Sequence, residues 1–259
     1  MGGLKGRIAW ITGAGSGIGR AIALTFAGAG AQVALTGRTE ASLRETEAMI
    51  RAAGGTVLLA PADVTDAAAV RAAHDKVAQA WGHPDILVNN AGSNVGRRHW
   101  KNLGPEGAAE VIDVNLKAPF LCSLAVLPAM RAKGGGMLIH IASLAGTAIH
   151  AVSGPSYTAA KHGAVAMSAT INAEEGIHGI RSVCICPGEV ATPILDKRPA
   201  PPSAEDRALM VQPDDIAAAA LFCATLPPRA CVTDLVIVPT DNHAHRATAR
   251  AIDRMPDPA

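Results

Sequence analysis

Seven short apolar segments alternate along this chain with longer segments of helical periodicity, and this alternation restricts the fold more than any other feature. The apolar segments are rich in Val, Ile and Leu, as in strands buried on both faces. They are residues 7–12, 32–36, 56–60, 85–89, 137–142, 181–186 and 235–238. The predicted helices are residues 18–29, 40–53, 66–80, 105–131, 156–178 and 213–225. We therefore expect an α/β, doubly wound Rossmann fold, with a seven-stranded parallel sheet and helices on both faces.

Length and composition are those of a globular protein without a nucleic-acid or membrane partner. The 259 residues suit one domain, 1–259, and two small domains are the alternative. The net formal charge is +1, and no dense run of Lys and Arg predicts a nucleic-acid surface. The amino terminus does not have the pattern of a signal peptide, and no segment reaches the roughly 18 apolar residues of a membrane span. We expect a cytoplasmic protein.

The five cysteines are interpreted as buried free thiols. None forms a Cys-x-x-Cys motif, and Cys184 and Cys186 lie two apart in an apolar run, as neighbours on one face of a strand do. Metal or redox roles are the alternative. His243 and His245 lie in a polar tail where no further ligands cluster, so we expect no metal site.

A glycine-rich turn follows the first predicted strand. The sequence TGAGSGIG, Thr12–Gly19, has glycines at 13, 15, 17 and 19 and leads into a helix. Such a turn lets the backbone approach a pyrophosphate, which the N–H groups of the helix N-terminus then bind. The spacing differs from G-x-G-x-x-G because residue 18 is Ile, and a tight packing turn is the alternative interpretation.

The end of the second predicted strand favours NADP over NAD. NAD-binding sites carry an acidic residue here that bonds the ribose 2′-hydroxyl. In this chain the strand ends at Gly37 and Arg38 follows, so no carboxylate repels a 2′-phosphate and a guanidinium can pair with one. An arginine at a solvated helix start is the alternative.

Tyr157, the only tyrosine of the chain, lies four residues before Lys161 in a predicted helix. Residues four apart share one helix face. A phenol is a weak acid near neutrality, and a nearby ammonium favours its phenolate form and lowers its pKa. This pair therefore suits proton transfer at a carbonyl oxygen. An amphipathic helix with a buried Tyr and a solvated Lys is the alternative.

Together these motifs resemble the single-domain short-chain dehydrogenase/reductase family, over nearly the whole chain. The glycine turn matches the family's Thr-Gly-x-x-x-Gly-x-Gly, and Asn115 in VNL matches its catalytic asparagine. Ser143 lies fourteen residues before Tyr157, as the family's catalytic serine does. The resemblance implies a catalytic set of Asn115, Ser143, Tyr157 and Lys161. In this set Ser143 would hold the substrate oxygen, and Asn115 would hold the helix geometry near Lys161.

The resemblance also implies most of the cofactor site. Asp63 matches the family's aspartate that contacts the adenine. The segment that closes the cofactor site matches Asn89–Gly92. The nicotinamide contact matches Pro187–Gly188 together with Thr192. The expected cofactor-binding residues, with Arg38 added, are Gly13, Ser16, Gly17, Ile18, Gly19, Arg38, Asp63, Val64, Asn90, Ala91, Gly92, Tyr157, Lys161, Pro187, Gly188, Val190 and Thr192.

The expected function is NADP-dependent hydride transfer between the nicotinamide and a small alcohol or carbonyl compound. The chain ends its last strand in VIVPTDNHAHR rather than the Val-Asp-Gly-Gly of acyl-carrier reductases, and this ending is more similar to the family's 3-hydroxy-acid and serine dehydrogenases. A 3-ketoacyl-thioester reductase and a non-catalytic dinucleotide-binding regulator are the alternatives. By resemblance, helices 105–131 and 156–178 form the interface of a homodimer or homotetramer.

Two loops are expected to shape the substrate site. The loop after NNAG carries Arg97–Trp100, and a lid at about 192–210 carries Lys197 and Arg198. Cations around a cleft can bind a carboxylate, which favours a small polar substrate such as a 3-hydroxy acid. Glu189 would repel an anionic substrate if it faced the pocket. The alternative interpretation is that the charged side chains of these loops point to solvent and bind no substrate. His150 is placed either at the substrate or in loop packing.

Overall fold

Seven parallel strands form the sheet, in the order β3-β2-β1-β4-β5-β6-β7. The computed structural model describes residues 3–197 and 201–241. The strands are β1 Ile8–Thr12, β2 Gln32–Thr36, β3 Thr56–Leu59, β4 Ile86–Asn89, β5 Gly136–Ile141, β6 Ile180–Pro187 and β7 Asp234–Ile237. The order reverses between β1 and β4, so their carboxyl ends form the switch point where doubly wound sheets bind ligands. The predicted fold class is confirmed.

Helices cover both faces of the sheet. They are α1 Gly17–Gly28, α2 Glu40–Ala52, α3 Ala67–Trp81, α4 Pro105–Ile112, α5 Ala118–Lys133, α6 Pro155–Glu175, α7 Ala204–Leu209 and α8 Pro213–Thr225. Successive side chains of β1 point to opposite faces of the sheet and enter two separate cores. Ile11 packs in the core under α1 and α8, and Trp10 packs in the core under α3 and α5. Both side chains are fully buried, which explains why the strands are apolar throughout.

The predicted helix 105–131 is interrupted by a π-helical turn, Asp113–Lys117. Pro119 has no N–H to donate to the carbonyl of Asn115, so the regular i−4 ladder cannot continue there. The stretch Pro105–Lys133 has the length and hydropathy of a membrane span, but half of its most apolar window is buried inside the protein. A core helix of a globular protein has the same properties.

The segment expected to be a lid contains helix that the sequence did not indicate. A 3₁₀ turn covers Pro193–Lys197, and α7 begins after Ser203. Ser203 and Asp206 form a reciprocal capping box, which is the one local signal for this short helix. That the segment of about residues 192–210 moves as a lid stays a prediction. Arg198 and His243 and His245 lie outside the described residues, as does the side chain of Lys197.

The cysteine prediction is correct for four positions and wrong for one. Cys122, Cys184, Cys186 and Cys223 are buried free thiols, whereas Cys231 is exposed. Cys231 lies in the irregular segment between α8 and β7, outside the apolar runs that bury the other four.

Candidate active site

The turn after β1 leaves room for a pyrophosphate because its glycines have no side chains. Gly13 and Gly17 have positive φ angles of 64° and 51°. A Cβ at Gly19 would lie 2.3 Å from the carbonyl oxygen of Gly13, so a side chain there would fill the turn. Ser16 precedes α1 without capping it by a side-chain hydrogen bond, and the first turn of α1 has no acidic residue. The free N–H groups of this helix end therefore fit a phosphate.

A hydrogen-bonded junction joins the ends of β1 and β4 beneath this turn. The Thr12 hydroxyl accepts the backbone N–H groups of Asn90 at 3.0 Å and Ala91 at 3.1 Å. The Asn90 amide donates to the carbonyls of Thr12 at 3.0 Å and Gly13 at 3.2 Å. The predicted segment 90–92 is thereby fixed against the glycine turn. Thr12 was missing from the predicted site residues, although it opens the TGAGSGIG motif.

Arg38 and Asp63 stand at the ends of neighbouring strands, where the adenosine half of a dinucleotide would lie. Arg38 is exposed just after β2, beside Gly37. Asp63 accepts the Thr65 backbone N–H at 2.9 Å, and this bond, above all, lowers the pKa of Asp63; the charge of Arg38 acts in the same direction and burial against it. Val64 is buried and anchors this segment.

A cleft of about 160 Å³ opens at the carboxyl ends of β5 and β6. It brings together eight of the predicted residues: Ile18, Ser143, Tyr157, Lys161, Pro187, Gly188, Val190 and Thr192. Seven of its lining residues were not singled out by any motif: Asn94, Ile141, Ala142, Val152, Ser153, Ile194 and Leu195. A Cβ at Gly17 would lie 3.2 Å from the Thr192 methyl carbon, so the glycine turn closes one end of the cleft.

The predicted helix face of Tyr157 and Lys161 points into this cleft from α6. The Lys161 ammonium lies 5.5 Å from the centroid of the Tyr157 ring and donates to the Ile141 carbonyl at 2.8 Å. Lys161 is 5% exposed, and this burial lowers its pKa to about 8. Ser143 lies two residues after β5 in the same cleft, and its hydroxyl accepts the Ala145 N–H at 3.2 Å.

Asn115 is buried at the π-helical turn, next to Lys161. Its amide nitrogen donates to the carbonyls of Ser93 at 2.7 Å and Val111 at 2.8 Å, and its Oδ1 makes no hydrogen bond within the described residues. A Cβ at Gly92 would lie 3.1 Å from this Oδ1 and 3.9 Å from the Lys161 Nζ. Both atoms therefore face the same small space beside Gly92.

His140 lies buried on β5, as the strand pattern indicated. Its Nδ1 is 3.3 Å from the Asn89 amide nitrogen, and its Nε2 has no hydrogen-bond partner among the described residues. Burial, and then the charge of Lys161, lowers the pKa of His140 to about 3. This imidazole is neutral at physiological pH and adds no positive charge beneath Lys161.

The cationic loop after β4 contributes one arginine to the cleft. Arg98 is 6% exposed and lines the cleft with Ser153 and Tyr157, whereas Arg97 is exposed and is not among the lining residues. The expectation that the whole loop reaches the mouth of the site is wrong for His99 and Trp100. These two line a separate apolar groove with His150. The groove contacts Ala159 and His162, on the side of α6 away from Tyr157 and Lys161.

The comparison with known families agrees with this geometry. The model of the short chain dehydrogenase family matches residues 7–202. The chain belongs to this family. It is accordingly an oxidoreductase of alcohol and carbonyl groups, and the predicted enzyme class is confirmed.

Relatives of this short-chain dehydrogenase act on different substrates. D-beta-hydroxybutyrate dehydrogenase of Rhizobium meliloti is 37% identical over 197 residues, 74% of each chain. Granaticin polyketide synthase putative ketoacyl reductase 1 of Streptomyces violaceoruber is 39% identical over 194 residues, 73% of this chain and 70% of that one. The crystal structure of a metagenomic short-chain oxidoreductase in complex with NADP is 34% identical with a TM-score of 0.80, covering 92% of this chain and 98% of that one.

Proposed function

We propose that this chain transfers hydride between NADP and a small alcohol or carbonyl compound, with Asn115, Ser143, Tyr157 and Lys161 as its catalytic residues. The observation that carries the proposal is one cleft. Ser143, Tyr157 and Lys161 line it together with Ile18 from the glycine turn, where the nicotinamide end of a bound dinucleotide would arrive.

The bound cofactor supplies the hydride, and the side chains supply the proton and hold the oxygen. Tyr157 is the acid in carbonyl reduction and, as phenolate, the base in alcohol oxidation. Lys161 favours the phenolate through its ammonium, which the Ile141 carbonyl orients. Ser143 donates its hydroxyl to the substrate oxygen, because a preorganised neutral donor stabilises charge that develops there. Asn115 positions Lys161 from the shared space beside Gly92.

NADP is the favoured cofactor because of Arg38. Its guanidinium is exposed after β2, and no carboxylate precedes it at residue 37. A charge-assisted hydrogen bond contributes about 1.5–3 kcal/mol. Arg38→Ala is therefore expected to raise the Kd of NADP by about ten-fold or more and to leave the Kd of NAD nearly unchanged. Fluorescence titration with both cofactors measures this.

Arg44→Ala is the matched control for this substitution. Arg44 is also exposed on α2 near the same strand end, but it pairs with Glu40 within its own helix. Arg44→Ala should not change the preference for NADP over NAD. Equal weakening of NADP and NAD by Arg38→Ala, or a preference of the unmodified protein for NAD, would show that Arg38 does not read the 2′-phosphate.

For the substrate we propose a compact hydroxy acid or keto acid, such as a 3-hydroxy acid. Arg98 is the reason, because it is a buried cation in the wall of the cleft that holds Ser143 and Tyr157. A guanidinium in a partly desolvated site binds a carboxylate more strongly than one in water. Glu189 also lines the cleft and would exclude anions that approach from its side. The similarity to a hydroxybutyrate dehydrogenase supports this proposal.

The substrate proposal is tested with 3-hydroxybutyrate and its methyl ester. The unmodified protein is expected to prefer the acid in kcat/KM, and Arg98→Gln to reduce that preference by about ten-fold or more. The neighbouring Arg97→Gln is the matched control, since Arg97 is exposed and outside the cleft. A preference for the ester, or equal effects of both substitutions, would reject carboxylate recognition by Arg98 without affecting the proposed catalytic residues.

A ketoacyl-thioester reductase is the second candidate. The similarity to a polyketide ketoacyl reductase favours it, whereas the ending of the last strand argues against it. Higher kcat/KM for a 3-ketoacyl thioester than for the free acid would select this candidate.

We also propose that the protein is cytoplasmic and forms a homodimer or homotetramer through α4, α5 and α6. Exposed apolar side chains support this interface: Ile112, Phe120 and Leu124 are 41%, 45% and 62% exposed. Exposed apolar side chains on these helices suit a contact with a second copy of the chain. Sedimentation velocity distinguishes the oligomer from a monomer.

A further inference from the structure

A second hollow lies at the other end of the strands from the cleft, where β1, β4, β5 and β6 begin. It has a volume of about 240 Å³. Three basic side chains line it, Arg7, Lys133 and Arg181, and Asp85 is the one acid among its described lining residues. The formal charge of these four groups is three positive and one negative, which leaves an excess of two positive charges.

The single acid is already occupied. The Asp85 side chain is 3% exposed, and it accepts the backbone N–H of Ile8 at 2.9 Å. It also pairs with Arg7 at 3.4 Å and, more closely, with Lys133. Arg7 and Lys133 thus share one carboxylate, and Asp85 does not neutralise the third cation, Arg181.

Arg181 is the cation that this arrangement leaves without a carboxylate. It is partly buried, and its guanidinium donates to the neutral carbonyls of Leu226 at 3.3 Å, Pro227 at 3.4 Å and Ala230 at 2.8 Å. No described carboxylate lies within ion-pair distance of it. Burial lowers the pKa of Arg181, and the nearby charge of Arg7 acts in the same direction. A small anion beside Arg181 would offset this like-charge repulsion.

Four glycines line one wall of the hollow, Gly134, Gly135, Gly136 and Gly179. Gly134 and Gly179 have positive φ angles of 72° and 71°, and a Cβ at Gly179 would lie 2.7 Å from the Gly134 carbonyl. The two turns thus pack through bare backbone. With Gly135 and Gly136, they form a wall without side chains. The space suits a molecule of the size of inorganic phosphate or a small polycarboxylate.

We propose that this hollow binds a small oxyanion, phosphate or a carboxylate, held by Arg181, Lys133 and Arg7. Guanidinium groups bind such anions through two parallel N–H donors, and the ammonium adds a point charge. The site joins the starts of four neighbouring strands. An anion bound there stabilises the folded protein, because it binds the folded state and not the unfolded chain.

The test is thermal unfolding in increasing inorganic phosphate, with ionic strength held constant by chloride and saturating NADP to fill the dinucleotide site. At ten times its Kd, phosphate is expected to raise the Tm saturably, by about 3–6 °C. Arg181→Gln and Lys133→Gln should each abolish most of this rise. Arg44→Gln, an exposed arginine far from the hollow, should retain it, and so should Arg38→Ala, which removes the candidate 2′-phosphate contact.

Two results would overturn the proposal. One is a Tm that does not rise above the chloride control. The other is a rise that Lys133→Gln keeps, because the anion would then bind elsewhere; if Arg38→Ala also removed that rise, the anion would bind in the dinucleotide site. If Arg181→Gln does not fold, Lys133→Gln decides the matter, since the Lys133 side chain is 54% exposed and its loss leaves Asp85 paired with Arg7.

Discussion

Tyr157→Phe is expected to reduce kcat by about 10²–10⁴-fold and to leave the affinity for NADP nearly unchanged. The substitution removes only the hydroxyl. The phenyl ring keeps its place in the cleft and its contact with the Lys161 ammonium, which lies 5.5 Å from the ring centroid. Loss of the proton donor therefore affects the chemical step rather than binding. Steady-state kinetics with an accepted substrate and titration of NADP measure the two quantities separately.

Ser156→Ala is the control for Tyr157→Phe, because Ser156 is the preceding residue of α6 and does not line the cleft. It should keep the rate of the unmodified protein. A Tyr157→Phe variant with that rate would contradict the assignment of Tyr157 as acid and base. A variant that loses NADP affinity as much as kcat would show that Tyr157 acts mainly in binding.

The sheet could be predicted from the sequence because its strands are buried on both faces. Strands of this kind are short, continuous apolar runs, and β2 was predicted with the bounds that the structure shows. Helix ends differ from the prediction by at most three residues, as at α6, which ends at Glu175 instead of His178, and at α3, where Asp66 caps the helix instead of beginning it. The motif residues could be predicted for another reason, since Tyr157 and Lys161 act through a spacing that the α-helix itself fixes.

What the sequence could not show depends on contacts between distant segments. Arg97 and Arg98 are chemically identical neighbours, and only the packing of their loop buries one of them in the cleft. Gly154 contributes to that packing, because a Cβ there would lie 2.2 Å from the Arg98 carbonyl oxygen. The π-helical turn at Asn115 was missed for a similar reason. Hydrophobic periodicity continues across it, and only its hydrogen bonds show the interruption.

Lys161→Met is expected to make the protein less active but more stable at neutral pH. Activity should fall by at least about 10²-fold, because the variant loses the charge that favours the phenolate of Tyr157. Stability should rise because burial lowers the pKa of Lys161 from 10.5 to about 8, so the folded state must hold an ammonium that it disfavours. A pKa shift of this size corresponds to about 3 kcal/mol of unfolding free energy. The variant gains less than this, because it also loses the hydrogen bond to the Ile141 carbonyl.

The pH dependence of this stability difference gives a sharper test than its size. Below pH 8 the folded and unfolded states both bind the lysine proton, and the full cost of the buried charge is present. Between pH 8 and 10.5 only the unfolded state binds it, so the unmodified protein gains stability as the pH rises and approaches Lys161→Met. Urea unfolding at pH 7 and pH 10 measures the difference, with Lys117→Met, at an exposed lysine, as the control. If Lys161→Met is the less stable protein at pH 7, or if its advantage does not shrink by pH 10, the folded state does not hold the Lys161 ammonium at a cost.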